Sequence, residues 1–145
     1  MADSPNKQSD GVVRTTIYTE GNPVNTALFG LISLYIRKEV NRIGRAVLVF
    51  DAGNMPEEDI PESNDDSFSP GKRILINAGY DNNENPVFEG IVTSHNLVVE
   101  EGNESYIQIE CRDYAYPSTQ VRKNRIFEKK KDSEAIKQIV DEYPI

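Results

Sequence analysis

Apolar and polar positions alternate with a period of two along much of this chain, beginning just after Gly11. Val13, Thr15, Ile17 and Thr19 alternate with Arg14, Thr16 and Tyr18, and Gly21-Asn22-Pro23 stops the run. Leu31, Ser33 and Tyr35 then alternate with Ile32, Leu34 and Ile36, and Ala46 to Phe50 forms a short continuous apolar strand. Between them, Arg37 to Gly44 reads equally as a helical turn or a loop. Pro70-Gly71 marks a turn, Ile74 and Ile76 alternate with polar neighbours, and Gly79 ends that strand. Asp81-Asn82-Asn83 tolerates left-handed backbone angles, so the chain reverses there into a hairpin. Val87, Phe88, Ile91 and Val92 resume a strand that Gly90 interrupts as a bulge or a close backbone approach. A further pair flanks Glu101-Gly102-Asn103, with Ile107, Ile109 and Cys111 on one face and Gln108, Glu110 and Arg112 on the other.

The remaining segments have a different character. Residues 1–10 read as a disordered leader. Residues 51–66 hold seven carboxylates, two prolines and no basic side chain, the composition of an exposed loop. Arg122 to Lys131 is basic, with six Lys or Arg and one Glu. Asp132-Ser133 is expected to cap a short helix with Ala135, Ile136, Ile139 and Val140 on its apolar face. That helix has no following segment to pack against, so it reads as leading toward a downstream domain. The predicted architecture is mainly β, a small antiparallel barrel or sandwich over residues 11–125. Residues 126–145 form a basic connection and helix.

Composition narrows the function classes. A chain of 145 residues is long enough for one domain with a real core. Its net charge of −8 opposes a nucleic-acid partner, because phosphate binding needs a basic surface. No run approaches the ~18 apolar residues of a membrane span, and the polar, acidic start is no secretory signal. A single cysteine excludes an intramolecular disulfide and points to folding in a reducing cytoplasm.

Candidate chemistry is sparse. His95 is the sole histidine, and Ser94 beside it lacks a nucleophile-elbow glycine pattern, so it reads as an ordinary surface or strand histidine. Cys111 on the inward face reads as a small core hydrophobe. Asp81, Asn83 and Asn85 match the first, third and fifth positions of a calcium loop. Pro86 and Val92 then stand where glycine and a bidentate glutamate are required. The scattered glycines form no phosphate loop. No catalytic residue, metal or cofactor is therefore expected. The residues singled out are structural: Pro70, Gly71, Gly79, Gly90 and Gly102 at turns and close approaches. A candidate interaction surface comprises Tyr114, Tyr116, Arg122 and Lys123.

Taken in order, several segments resemble the N-terminal hub region of VgrG-type spike proteins and the baseplate hubs of contractile phage tails and injection systems. They are Arg45 to Asp51, the acidic proline-containing loop, "FSPGKRILINAGY", "VFEGIVTSH" and "ECRDYA", with "IYTEGNPV" before and "DSEAIKQIVDEY" after. That resemblance implies a small β-barrel and a non-enzymatic role adapting a hexameric tube to a trimeric spike. The implied partners are the chain itself as a trimer, tube protein, and baseplate and spike-tip proteins. It also implies assembly in the bacterial cytoplasm and service in a secreted or extracellular particle. The rival expectation is a β-barrel module binding a peptide or glycan through Tyr106, Tyr114 and Tyr116.

Overall fold

The computed structural model describes residues 13–24, 30–52, 66–80, 83–99 and 105–143. The alternating segments form seven antiparallel strands in one sheet: β1 (Val13–Thr19), β2 (Asn22–Pro23), β3 (Leu31–Arg37), β4 (Arg45–Asp51), β5 (Arg73–Tyr80), β6 (Asn83–Val99) and β7 (Ser105–Arg112). A short helix, α1 (Asp132–Val140), follows. The strand order is β2-β1-β5-β6-β7-β4-β3. Each alternation sends one set of side chains to a common core: Ile17, Leu48, Phe50, Ile74, Ile76, Phe88, Val92, Ile107, Ile109 and Cys111 are all buried there. Phe68, from a 3₁₀ turn at Asp66–Phe68, closes over this set, and its ring centroid lies 5.1 Å from that of Phe50.

The sheet is mainly β as expected but is not closed into a barrel. Its order ends at the β1–β2 side and at β3, and no ladder joins those ends among the described residues. Alternation reports only that one face of each strand is covered. It carries no information on whether the outermost strands meet.

The element that folds seven strands over one core is β6. Its first half pairs with β5, from Tyr80 opposite Asn83 to Arg73 opposite Ile91. Its second half pairs with β7, from Ile91 opposite Arg112 to Val99 opposite Ser105. One 17-residue strand thus serves two partners, where the sequence pattern predicts separate strands. The chain bends between, and the register shifts between Val92 and Ser94. The irregularity falls there and not at Gly90, because the extra residue, Thr93, bonds its hydroxyl to the Glu110 carbonyl at 3.0 Å. Gly90 answers the other expectation, a close approach: a Cβ there would stand 2.1 Å from the Arg112 carbonyl oxygen. Gly79 is similar, with 2.0 Å to the Asn83 carbonyl across the β5–β6 hairpin.

Other details differ from the sequence expectations. Arg37 is the last residue of β3, and residues 38–44 take the loop alternative, with Asn41 at φ 62°. The cap of α1 is Lys131, one residue earlier than expected, and its N–H donates to the Glu134 carboxylate at 3.3 Å. Asp132 already has helical geometry and complements the helix dipole. Pro70 and Gly71 make the expected turn, and the Gly71 N–H donates to the Val92 carbonyl at 2.8 Å. The leader at 1–10, Asp81, Gly102 and most of the acidic loop (53–65) lie outside the described residues.

Replacing Gly90 by Ala should cost about 2–4 kcal/mol, because the clash is with main chain that cannot swing away. Urea denaturation checks this; an unchanged midpoint would mean that β6 does not pass this close to the Arg112 main chain at Gly90.

Candidate functional site

Two features stand out once the strands are in register: an uncovered sheet edge and a row of arginines at its end. Among the described residues, β3 pairs with β4 on one side only. Leu31, Leu34 and Ile36 lean on the core, while Ile32 and Tyr35 are 62% and 57% exposed. The strand is long enough to template another, since an edge presents its N–H and C=O groups along its length. Its register shifts between Leu31 and Ser33, a bulge of the kind that twists an edge away from indiscriminate pairing.

The arginine row arises from register alone. Arg37 lies opposite Arg45, and Arg45 lies opposite Arg112, so three guanidiniums start from adjacent strands on one sheet face. Like charges placed directly opposite one another are destabilising. Two glutamates moderate the repulsion. Glu110 accepts from Arg45 Nη2 at 2.9 Å and from Arg112 Nε at 3.0 Å. Glu39 accepts from Arg37 Nε at 2.7 Å and faces Arg42 Nε at 3.3 Å. The hydrogen bond that Arg37 donates to Glu39 raises the Arg37 pKa above its already high ordinary value, so this charge is permanent. Four guanidiniums therefore share two carboxylates. With Glu39, Tyr35 and Ile43, the four guanidiniums line a cavity of about 170 Å³. Arg45 Nε is buried without a hydrogen-bond partner among the described residues. Arg112 is steadied from below by the Tyr116 ring, 5.9 Å from its guanidinium carbon to the centroid. The turn carrying Tyr116 is anchored by the Asp113 N–H, which donates to the Gly44 carbonyl at 3.0 Å.

The residues singled out from sequence fall in separate places. Tyr114 lines a groove with Tyr18, Arg73 and Glu89, where burial and the Glu89 charge raise its pKa. Tyr116 belongs to the arginine row. Arg122 is exposed, and Lys123 pairs with Glu142 at 3.2 Å while lying 5.0 Å over the Tyr143 ring. That contact, with the Arg125–Glu142 ion pair, ties the basic segment to the end of α1. No residue of α1 is buried. Tyr114 and Tyr116 thus make different contacts, and Lys123 makes a third set.

His95 faces inward opposite Ile109, and burial lowers its pKa. Its Nε2 has no partner among the described residues. Cys111 is fully buried, and burial pushes its thiol up to about 12. Asn83 and Asn85 lie in β6 opposite β5, which spreads them along a ladder and not around an ion. Among the described residues, no group of His, Cys, Asp and Glu is gathered to hold a metal. Sequence reasoning missed the arginine row because each member ends a different strand. The one local signal is that Arg37, Arg45 and Arg112 occupy the polar phase of their alternations.

Comparison with known families supplies the assignment. A model of the Alg8 N-terminal domain matches residues 9–145. The chain belongs to the Alg8 N-terminal domain family. No curated protein matches it. The match corrects the VgrG-type hub reading: the family is the Alg8 N-terminal domain, and the spike-hub function with its type VI and phage-tail associations is set aside. The physical reason is that turns, bulges and two-residue alternation recur in any antiparallel sheet of this connectivity. The ordered segments that carried the resemblance define local geometry and no interface. In this Alg8-family domain the sheet segment and the basic C-terminal segment lie within one match.

The Cys111 thiol should resist a soluble disulfide reagent at pH 8 until the protein unfolds. Its raised pKa also has a sign. Between about 9 and about 12 the folded state holds the thiol proton that the unfolded state releases, so this residue's stability contribution falls as pH rises through that window. Rapid native-state labelling, or identical alkaline unfolding limbs for the parent and Cys111→Ala, would contradict the burial.

Proposed function

We propose that this domain works by binding and not by catalysis, receiving an extended segment of a partner protein on the free edge of β3. The observation that carries the reading is the edge itself: a seven-residue strand, paired on one side among the described residues, with Ile32 and Tyr35 exposed. Strand addition satisfies the edge's main-chain groups and draws specificity from alternate side chains of the incoming segment. Ile32 and Tyr35 offer apolar and aromatic surface that a bound strand would cover. The opposite margin is a poorer template, because the two-residue β2, which contains Pro23, covers one end of β1. The chemistry-bearing side chains support binding over turnover: His95 and Cys111 face the core on neighbouring strands, and the thiol stays protonated.

The test is selection of extended peptides from a random library against the intact chain, with binding mapped by amide chemical shifts. The expected result is peptides whose binding shifts β3 and β4 amides, and whose affinity falls by about tenfold or more when alternate peptide amides are N-methylated. Peptides that map to the Tyr114 groove, or that tolerate N-methylation, would overturn the reading. So would dimerisation through the same amides, which makes a second copy the occupant.

A further inference from the structure

We infer that the arginine row at the end of β3 is a carboxylate seat, and that the segment added to β3 is acidic. This rests on the strand-addition reading and specifies the partner's chemistry. Three observations point to it. Register forces Arg37, Arg45 and Arg112 into one cross-strand row, an arrangement that repels itself unless anions fill it. Glu39 and Glu110 supply only two carboxylates for the four guanidiniums lining the cavity, so the site keeps positive charge on a chain whose net charge is −8. Arg45 Nε is a buried donor without a partner among the described residues, on a side chain that borders a cavity of about 170 Å³. That volume suits a side-chain carboxylate.

Position selects the source of that carboxylate. Arg37 is the last residue of β3, and Tyr35 lies on the same face two residues before it. A strand laid along β3 therefore passes beside the cavity, and one of its side chains on that face is directed toward the guanidiniums. Arginine favours such a ligand because its planar fork binds a carboxylate through two parallel hydrogen bonds. Asp113 is the other nearby carboxylate, and it is engaged in its own turn, accepting from the Ala115 N–H at 3.0 Å. The site thus reads partner charge at one end of the edge, while Ile32 and Tyr35 supply the apolar contact along it.

The experiment uses the full chain with ¹⁵N labelling and four probes: an alternating Val-Glu octapeptide, the same peptide with alternate amides N-methylated, a Val-Lys octapeptide, and sodium acetate. The Val-Glu peptide is expected to shift the side-chain Nε–H signals of Arg37, Arg45 and Arg112 together with the β3 amides. Its affinity should fall by about tenfold or more in Arg37→Gln/Arg42→Gln, two exposed positions whose change spares the core. It should also fall as salt rises from about 50 to about 500 mM. Equal binding of the Val-Glu and Val-Lys peptides, or unmoved arginine signals, overturns the carboxylate seat. If either peptide still shifts β3 amides in that case, strand addition survives alone. If acetate or the N-methylated peptide shifts the arginine signals while no peptide reaches the β3 amides, the seat stands and strand addition fails.

Discussion

The backbone crossing of Gly90 over Arg112 is the constraint on which the rest of this domain depends. β6 can pair with β5 through one half and β7 through the other only if the chain passes close enough to β7 to exchange partners, and a side chain at residue 90 would fill that space. The bend lets Ile74 and Ile76 from one limb meet Ile107, Ile109 and Cys111 from the other, with Phe88 and Val92 on either side of the corner. Without it the seven strands would lie as an extended sheet with one apolar face open to water. Burying that face is the dominant stabilising term in a domain of this size.

The same crossing also sets the electrostatics. Ile91 is opposite both Arg73 and Arg112, so the corner fixes the register of β7, and β7 in turn fixes that of β4 and β3. The arginines at the ends of β3, β4 and β7 fall into line as a result. Their mutual repulsion is tolerable because Glu110 bridges two of them within the sheet and Glu39 holds two more from the loop. These pairs are partly exposed, so each contributes little to stability. Their effect is to orient a permanent positive field beside a strand that is paired on one side among the described residues, on a molecule that is otherwise strongly acidic. A partner's charge and its main chain can then be read at adjacent points.

The C-terminal segment follows a different logic. α1 is held by ion pairs from Lys123 and Arg125 to Glu142, and none of its residues is buried. Ile136, Ile139 and Val140 remain exposed on it. Its stability comes from the main-chain cap at Lys131 and from surface charge, not from packing on the sheet. That difference separates the cooperative β core from a peripheral unit within the same family match.

The alternation of residues 13–19, 73–80 and 105–112 determined by itself that this chain is mainly β, and which face of each strand is buried. Gly79, Gly90 and Cys111 were legible for the same reason, since backbone proximity and small apolar volume demand particular residue types. The continuity of β6 and the arginine row were not legible. They depend on which strands become neighbours and in what register, and those relations join residues as far apart as Arg37 and Arg112. A period of two tells a strand which way its side chains point. Only the assembled sheet decides what stands opposite them, because pairing is settled by the burial of the whole core and not by any local sequence.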